Sequence, residues 1–346
     1  MESSPPSKQF YAPLTKTKLK TFSSMQGKAR KCKAGNKEVV LKADHRIFAH
    51  MILIAQSRQL NLKEVLCHPL GPLPWSLASP NGSMRTTNKS ELAKQLLKFP
   101  GVVESLPSRS ACVIDGMALV QKLNGDGRTF ADLAEHALST VLAEASHSTR
   151  VDVVFDVYHE SSIKQLERLA RGADSGMEVK QIAAGHRVQQ WRKFLKNSNN
   201  KTNLAAFFLK EWGKDHCRAR LNEKVLYTTT KGLCYKLTRQ DVEQVASLSS
   251  TQEEADTRMF LHACHASRAG HKSVILVSDD TDVLVLSLAN SHKLTYDLFL
   301  KTGTNNRTKY INISQLVSGL GSQLCKALPG FHAFTGCDSQ CFCRSW

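Results

Sequence analysis

Three short apolar segments, each followed by aspartate, constrain the fold of this chain most strongly. The segments 111–114, 151–155 and 274–277 are rich in β-branched residues, and helical stretches separate them. Runs of this kind that alternate with helices are typical of a parallel sheet covered on both faces. We therefore predict an α/β fold with a mostly parallel, twisted sheet flanked by helices. The aspartates that follow the three segments are Asp115, Asp156, Asp280 and Asp282.

The positions of these aspartates predict a metal site. In open α/β sheets the functional site lies outside the carboxyl ends of the strands. Magnesium takes oxygen ligands, and two dications about 4 Å apart need several carboxylates to offset their repulsion. We therefore expect Mg²⁺, with Mn²⁺ as the alternative ion. The candidate ligands are Asp115, Asp156, Glu254, Asp256, Asp280, Asp282 and Asp338.

Each candidate acid also has an ordinary structural explanation. Aspartate at a strand end often caps the following helix, and Glu253 and Glu254 follow Ser250-Thr251 as a capping box predicts. Glu254 and Asp256 are two residues apart, so their side chains diverge on a regular helix. The joint occurrence of acids at three strand ends nevertheless favours a metal site over separate structural roles.

The charge of the chain points to a polyanionic partner. Lysine and arginine total 47 against 30 acids, which gives a net charge of +17. This balance suits nucleic acid, and we expect DNA rather than RNA. No apolar run reaches the roughly 18 residues of a membrane span, so no membrane partner is expected. Neither nucleotide-binding glycine motif occurs, and we expect no small-molecule cofactor.

Composition shifts along the chain predict its organisation. Residues 1–44 are predicted to be a basic, disordered arm, and 45–110 a mainly helical extension. The core is predicted over 111–346, with a basic helical and hairpin insertion at about 160–248 that turns at Lys231-Gly232. Ten scattered cysteines and the basic arm favour a nuclear location, or otherwise a cytoplasmic one.

Five short motifs resemble the PIN-like nuclease superfamily, and specifically its flap endonuclease/XPG branch. They occur in the order and at the approximate spacing of that family. The chain is also similar to a transposon-associated, multicopy group of uncharacterised animal proteins. The motifs are VIDGM at 113–117, VFDVY at 154–158, EAD at 254–256, SDDTDVL at 278–284 and GCD at 336–338.

The resemblance implies roles for individual residues. It implies a tighter metal cluster formed by Asp115, Asp156, Glu254 and Asp280. It implies a second ion near Asp256, Asp282 and Asp338. In the family, a basic arch contacts the substrate, and its catalytic cations correspond here to Lys164, Arg168 and Arg171. The family continues into a helix–turn–helix, whereas this sequence ends eight residues after Asp338, so we expect a C-terminally truncated core.

Three functional hypotheses follow. The first is a metal-dependent nuclease that hydrolyses phosphodiester bonds in DNA or RNA, with structure-specific, flap-like cleavage as one form. The alternative is a catalytically inactive PIN-like module, derived from a mobile element, that binds nucleic acid or protein. A Toprim-like domain would explain one glutamate and a DxD pair, but it leaves Asp115, Asp156 and Asp338 without a role. His332 lies near Asp338 and has the chemistry of a general base, although a packed or surface histidine is the simpler interpretation.

Overall fold

The chain divides into two compact units. The smaller unit includes a short helical turn over 53–57, and the larger unit contains every described residue from Lys89 onward. The predicted arm 1–44 lies outside the described residues. The structure is a computed structural model, and it describes residues 53–58, 61, 63–64, 89–158, 178–179, 181–303 and 307–335.

The described part of the larger unit contains one nine-stranded sheet. In chain order its strands are β1 (Val102–Val103), β2 (Ser110–Asp115), β3 (Ser148–Val154), β4 (Val225–Thr230), β5 (Leu233–Leu237), β6 (Val242–Gln244), β7 (Ser273–Val277), β8 (Asp297–Thr302) and β9 (Lys309–Asn312). Across the sheet the order is β1-β9-β8-β7-β2-β3-β4-β5-β6. The five central strands, from β8 to β4, are parallel, and both outer parts of the sheet are antiparallel.

Helices cover both faces of the sheet, which confirms the predicted α/β class. In chain order they are α1 (Lys89–Leu96), α2 (Gly116–Lys122), α3 (Phe130–Glu144), α4 (Trp191–Phe194), α5 (Ser198–Trp212), α6 (Asp215–Ala219), α7 (Ala255–Arg268), α8 (Thr281–Asn290), α9 (Ile313–Leu320) and α10 (Ser322–Thr335). None of these described helices has the length and apolar character needed to cross a membrane.

The central strand β2 separates two apolar cores. Successive side chains of a strand point to opposite faces, and Cys112 and Ile114 join the core beneath α3 and α5. Ala111 and Val113 join the core beneath α7 and α8. Because both faces of β2 are buried, its sequence is a continuous apolar run rather than an alternation of apolar and polar residues.

The strand order creates a switch point beside β2. The chain leaves β2 for β3 on one side and later reaches β7 on the other side. The helices that follow these neighbouring strands therefore leave in opposite directions, and a crevice forms at the carboxyl ends of the strands. Asp115 ends β2 at this edge, and Asp156 and Asp280 follow β3 and β7 closely. The aspartates predicted to share a site thus reach the same edge of the sheet.

The predicted hairpin at Lys231-Gly232 is confirmed. Strands β4 and β5 pair antiparallel, and Lys231 and Gly232 have positive φ values of 48° and 82°. Two left-handed residues are what a type I′ hairpin turn requires. Strand β4 also pairs in parallel with β3, so the hairpin assigned to the insertion extends the main sheet.

Gly232→Ala is expected to lower the free energy of unfolding by about 1 to 2 kcal/mol, the typical strain of a left-handed residue with a side chain. An added Cβ would also lie 3.0 Å from the Ser250 carbonyl oxygen. Urea denaturation measures the change. Lys231→Asn is the matched control, because asparagine tolerates the left-handed region, and it should leave stability unchanged or slightly higher. Equal stability of Gly232→Ala and wild type would contradict the assigned turn.

Candidate metal centre

Asp256, Asp280 and Asp282 come together at the carboxyl edge of the sheet. One possible ligand atom from each lies within 4.8 Å of the other two. Asp280 caps the N-terminus of α8, Asp282 lies in the first turn of that helix, and Asp256 lies in the first turn of α7. Within the described part of the chain, this is the group of acidic, histidine or cysteine side chains close enough to share one ion.

Asp115 and Asp156 lie beside this group, and hydrogen bonds hold both in place. Asp115 Oδ1 accepts from the backbone nitrogens of Met117 at 2.8 Å and Ala118 at 3.0 Å. Asp156 Oδ1 accepts from the Ala255 nitrogen at 2.8 Å, and its Oδ2 accepts from the Tyr158 hydroxyl at 3.3 Å. Each carboxylate keeps further lone pairs, so these bonds are compatible with a ligand role.

The five carboxylates influence one another electrostatically. Burial and the charges of Asp280, Asp115, Asp282 and Asp156 raise the pKa of Asp256 to about 8. Asp256 is partly exposed, and the largest electrostatic contributions to its pKa come from acids. A bound dication would relieve this repulsion.

Asp115 experiences the same environment to a lesser degree. Burial raises its pKa to about 6, and the charges of Asp156 and Asp280 act in the same direction. Its two backbone hydrogen bonds oppose this rise because they stabilise the ionised form. Asp115 therefore belongs electrostatically to the acidic group.

Three helix N-termini converge on the acids. Asp115 caps α2, Asp280 caps α8, and Asp156 accepts from Ala255, the first residue of α7. The partial positive charge of a helix N-terminus stabilises a nearby carboxylate. The structural explanation considered for strand-end aspartates, a cap on the following helix, is therefore right for Asp115 and Asp280, whereas Asp156 binds the start of a helix 99 residues later.

The predicted capping box before α7 is wrong. The segment 250–254 is described throughout, yet it forms no such box, because α7 begins at Ala255. Glu254 is the N-cap residue, and its side chain makes no capping bond there. Asp156 binds the first helical nitrogen instead, so a distant strand sets the start of this helix.

Glu254 is not part of the close group. The resemblance placed it with Asp280, whereas the acid found beside Asp280 is Asp256. Glu254 has extended backbone angles, with φ −92° and ψ 139°, and Asp256 already lies in the helix. The same spacing does not separate Asp280 and Asp282, which lie at equivalent positions of α8, so spacing along the helix does not explain why Glu254 is outside the group. The remaining predicted site residues lie outside the described residues: Asp338, Lys164, Arg168 and Arg171.

Asp279 points away from the acidic group even though it precedes Asp280. Its Oδ1 accepts from the Gly303 nitrogen at 2.7 Å, and its Oδ2 pairs with Lys122 Nζ at 3.0 Å. The pKa of Asp279 falls below its usual range because the hydrogen bond from Gly303 and the Lys122 cation together outweigh the opposing effect of burial. Asp279 therefore has a structural role in the loop between β7 and α8.

Sequence reasoning missed Arg258, which lies behind the acids. Only 1% of Arg258 is exposed, and its Nη1 donates to the Phe155 carbonyl oxygen at 2.9 Å. Burial lowers the pKa of Arg258, and Cys234 and Asp156 oppose that change. The sequence did contain a sign that Arg258 is buried. Ala255, Arg258 and His262 recur at helical spacing and lie on the buried face of α7.

A buried ionic network attaches α7 to β3. Arg150 binds both carboxylate oxygens of Asp152 at 2.8 Å, and His262 Nδ1 lies 2.7 Å from Asp152 Oδ1. Burial raises the pKa of the Asp152 carboxyl, but Arg150 and His262 outweigh it and bring the pKa below the usual range. The network therefore fixes the strand that leads to Asp156 against the helix that carries Asp256.

The residues present fit a hard divalent cation. The three close donors are carboxylates, and oxygen donors of this kind suit Mg²⁺ and Mn²⁺. Comparisons of the chain with protein-family models, with curated proteins and with solved structures find no match. The functional proposal below therefore rests on the chemistry of the site.

The pKa of Asp256 predicts how stability depends on pH in EDTA. Folding raises the pKa of this carboxyl from 3.8 to about 8. Between these two pH values the carboxyl is protonated in the folded state and ionised in the unfolded state. The free energy of unfolding should therefore fall as pH rises from about 4 to about 8, with a slope of at most about 1.4 kcal/mol per pH unit from this group. Urea denaturation across this range measures the slope.

Asp256→Asn should flatten this dependence, because the variant has no proton to lose. Glu223→Gln, an exposed acid outside the acidic group, is the matched control and should retain the wild-type slope. Identical pH profiles for Asp256→Asn and wild type would show that Asp256 does not carry the effect.

Proposed function

We propose that this protein is a metal-dependent nuclease that hydrolyses phosphodiester bonds. One observation carries the proposal: Asp256, Asp280 and Asp282 offer ligand atoms within 4.8 Å of one another at the carboxyl edge of a parallel sheet. Two further carboxylates lie close enough to raise the pKa of Asp256 by their charge. Five acids at one edge are enough to offset the charge of two dications, which supports a two-metal site.

The chain's own residues would organise the site before substrate binds. Asp256, Asp280 and Asp282 would hold one ion, and Asp115 and Asp156 would extend the site toward a second. Bound divalent cations supply activation of water and stabilise charge on the phosphate oxygens. Helix N-termini hold Asp115, Asp156 and Asp280 in place, so these three acids would need little reorganisation when the ions bind.

The charge balance supports nucleic acid as the substrate class. The chain carries a net charge of +17 even though it concentrates five carboxylates at one edge of the sheet. A positive protein attracts a polyanion over long distances, and a local acidic site that binds dications can then accept a phosphate. DNA is the proposed first substrate, with RNA as the alternative.

The decisive measurement is cleavage by the purified full chain. Labelled single-stranded DNA, duplex DNA, 5′-flap DNA and RNA would each be incubated with Mg²⁺, with Mn²⁺ or with EDTA. Cleavage is expected with either metal and not with EDTA. The double variant Asp280→Asn/Asp282→Asn should lose more than about 100-fold in rate, since even outer-shell changes at metal sites cost 10- to 100-fold.

Asp279→Asn provides a matched control for this experiment. It removes one charge from the same loop, but Asp279 binds Gly303 and Lys122 rather than the acidic group. Its cleavage rate should stay close to that of the wild type, and circular dichroism should show that all variants fold. Nucleic-acid binding without cleavage in either metal would overturn the nuclease and support an inactive binding module.

A further inference from the structure

The acidic group has a histidine neighbour from the last described helix. His332 lies on α10, and its Nε2 is 2.5 Å from Asp282 Oδ1. An ionised carboxylate only accepts hydrogen bonds, so the histidine nitrogen is the donor. The two residues are 50 positions apart in sequence, and the contact exists because α10 packs along α8.

His332 is held firmly rather than resting on the surface. Only 5% of the residue is exposed. Cys325, Leu328 and His332 recur at the spacing of one helical face, and Cys325 and Leu328 are buried in the core that includes α8. The imidazole therefore reaches Asp282 from a helix that is packed against α8.

Asp282 needs such a support because of its neighbours. It lies in the first turn of α8, close to Asp256 and Asp280, and like charges at this distance repel. A short carboxylate side chain can rotate to reduce that repulsion, which would separate the ligand atoms. A fixed donor on Oδ1 opposes this rotation.

We propose that His332 is a positioning residue that holds Asp282 in the geometry required for metal binding. The inference rests on the proposed function, because it assumes that Asp282 is a metal ligand. Donors that orient a coordinating carboxylate commonly matter for metal affinity although they do not touch the ion. His332 would therefore act through Asp282 rather than on the substrate.

The test measures metal affinity rather than cleavage. Mn²⁺ binding to the full chain would be followed by calorimetry and by the electron paramagnetic resonance signal of free Mn²⁺. His332→Leu removes the donor and should weaken Mn²⁺ binding by about 10- to 100-fold. His332→Gln should bind nearly as tightly as wild type, because its amide nitrogen can occupy the position of Nε2.

A second pair of variants keeps the test informative if His332→Leu fails to fold. His332→Asn differs from His332→Gln by one methylene and cannot extend its amide to Asp282. We expect weak Mn²⁺ binding for His332→Asn and near wild-type binding for His332→Gln, with equal melting temperatures in EDTA. Equal Mn²⁺ affinity of these two variants would overturn the positioning role.

A double-variant cycle separates positioning from other roles. In an Asp282→Asn background, a further His332→Asn change should cause no additional loss of Mn²⁺ affinity, since its target is gone. An equally large additional loss would show that His332 acts independently, and the proposal would be wrong. If wild type itself binds no Mn²⁺, the proposed metal site fails, and this inference fails with it.

Discussion

Crowding of like charges at one edge of the sheet is the constraint on which the rest of the site depends. Five carboxylates act on one another there, and partial burial of Asp115 and Asp256 makes the repulsion on these two stronger than it would be in water. Helix N-termini offset this repulsion, because Asp115, Asp156 and Asp280 each accept a hydrogen bond from the first turn of a helix, which favours an anion. The fold therefore tolerates an acidic cluster that an isolated loop would not hold together.

Buried cations complement this arrangement from the interior. Arg258 binds the carbonyl of Phe155 just before Asp156, and Arg150 pairs with Asp152 in the same strand. Both arginines lie within the contact between β3 and α7, so the strand and the helix cannot shift independently. Removing one member of such a pair leaves a buried charge uncompensated, which is usually strongly destabilising. Placement of the acids and stability of the core are consequently linked.

Much of this was predictable from local sequence signals. Asp115, Asp156 and Asp280 follow apolar runs, and the parallel arrangement of those runs brings them to one edge. The turn at Lys231-Gly232 was likewise determined by local chemistry. These features depend on residues within a few positions of one another, which is the range over which patterns are informative.

Other features depend on contacts between distant segments, and local patterns do not contain them. The close group includes Asp256 rather than Glu254, and its composition depends on how α7 packs against β7 and α8. The contact of His332 with Asp282 requires two helices to pack together. Asp152 and its partner Arg150 are two positions apart on one strand, but the second partner, His262, is 110 positions away and becomes evident only in the folded core.

The bond between Asp156 and the Ala255 nitrogen has a consequence for how the protein folds. It joins residues 99 positions apart, so the first turn of α7 gains its cap only after a long loop has closed. Closing such loops is slow, and non-local pairings limit folding rates in sheets of this kind. The acidic centre therefore cannot assemble within one local segment of the chain, and the electrostatic cost of the cluster arises only when strands and helices distant in sequence come together.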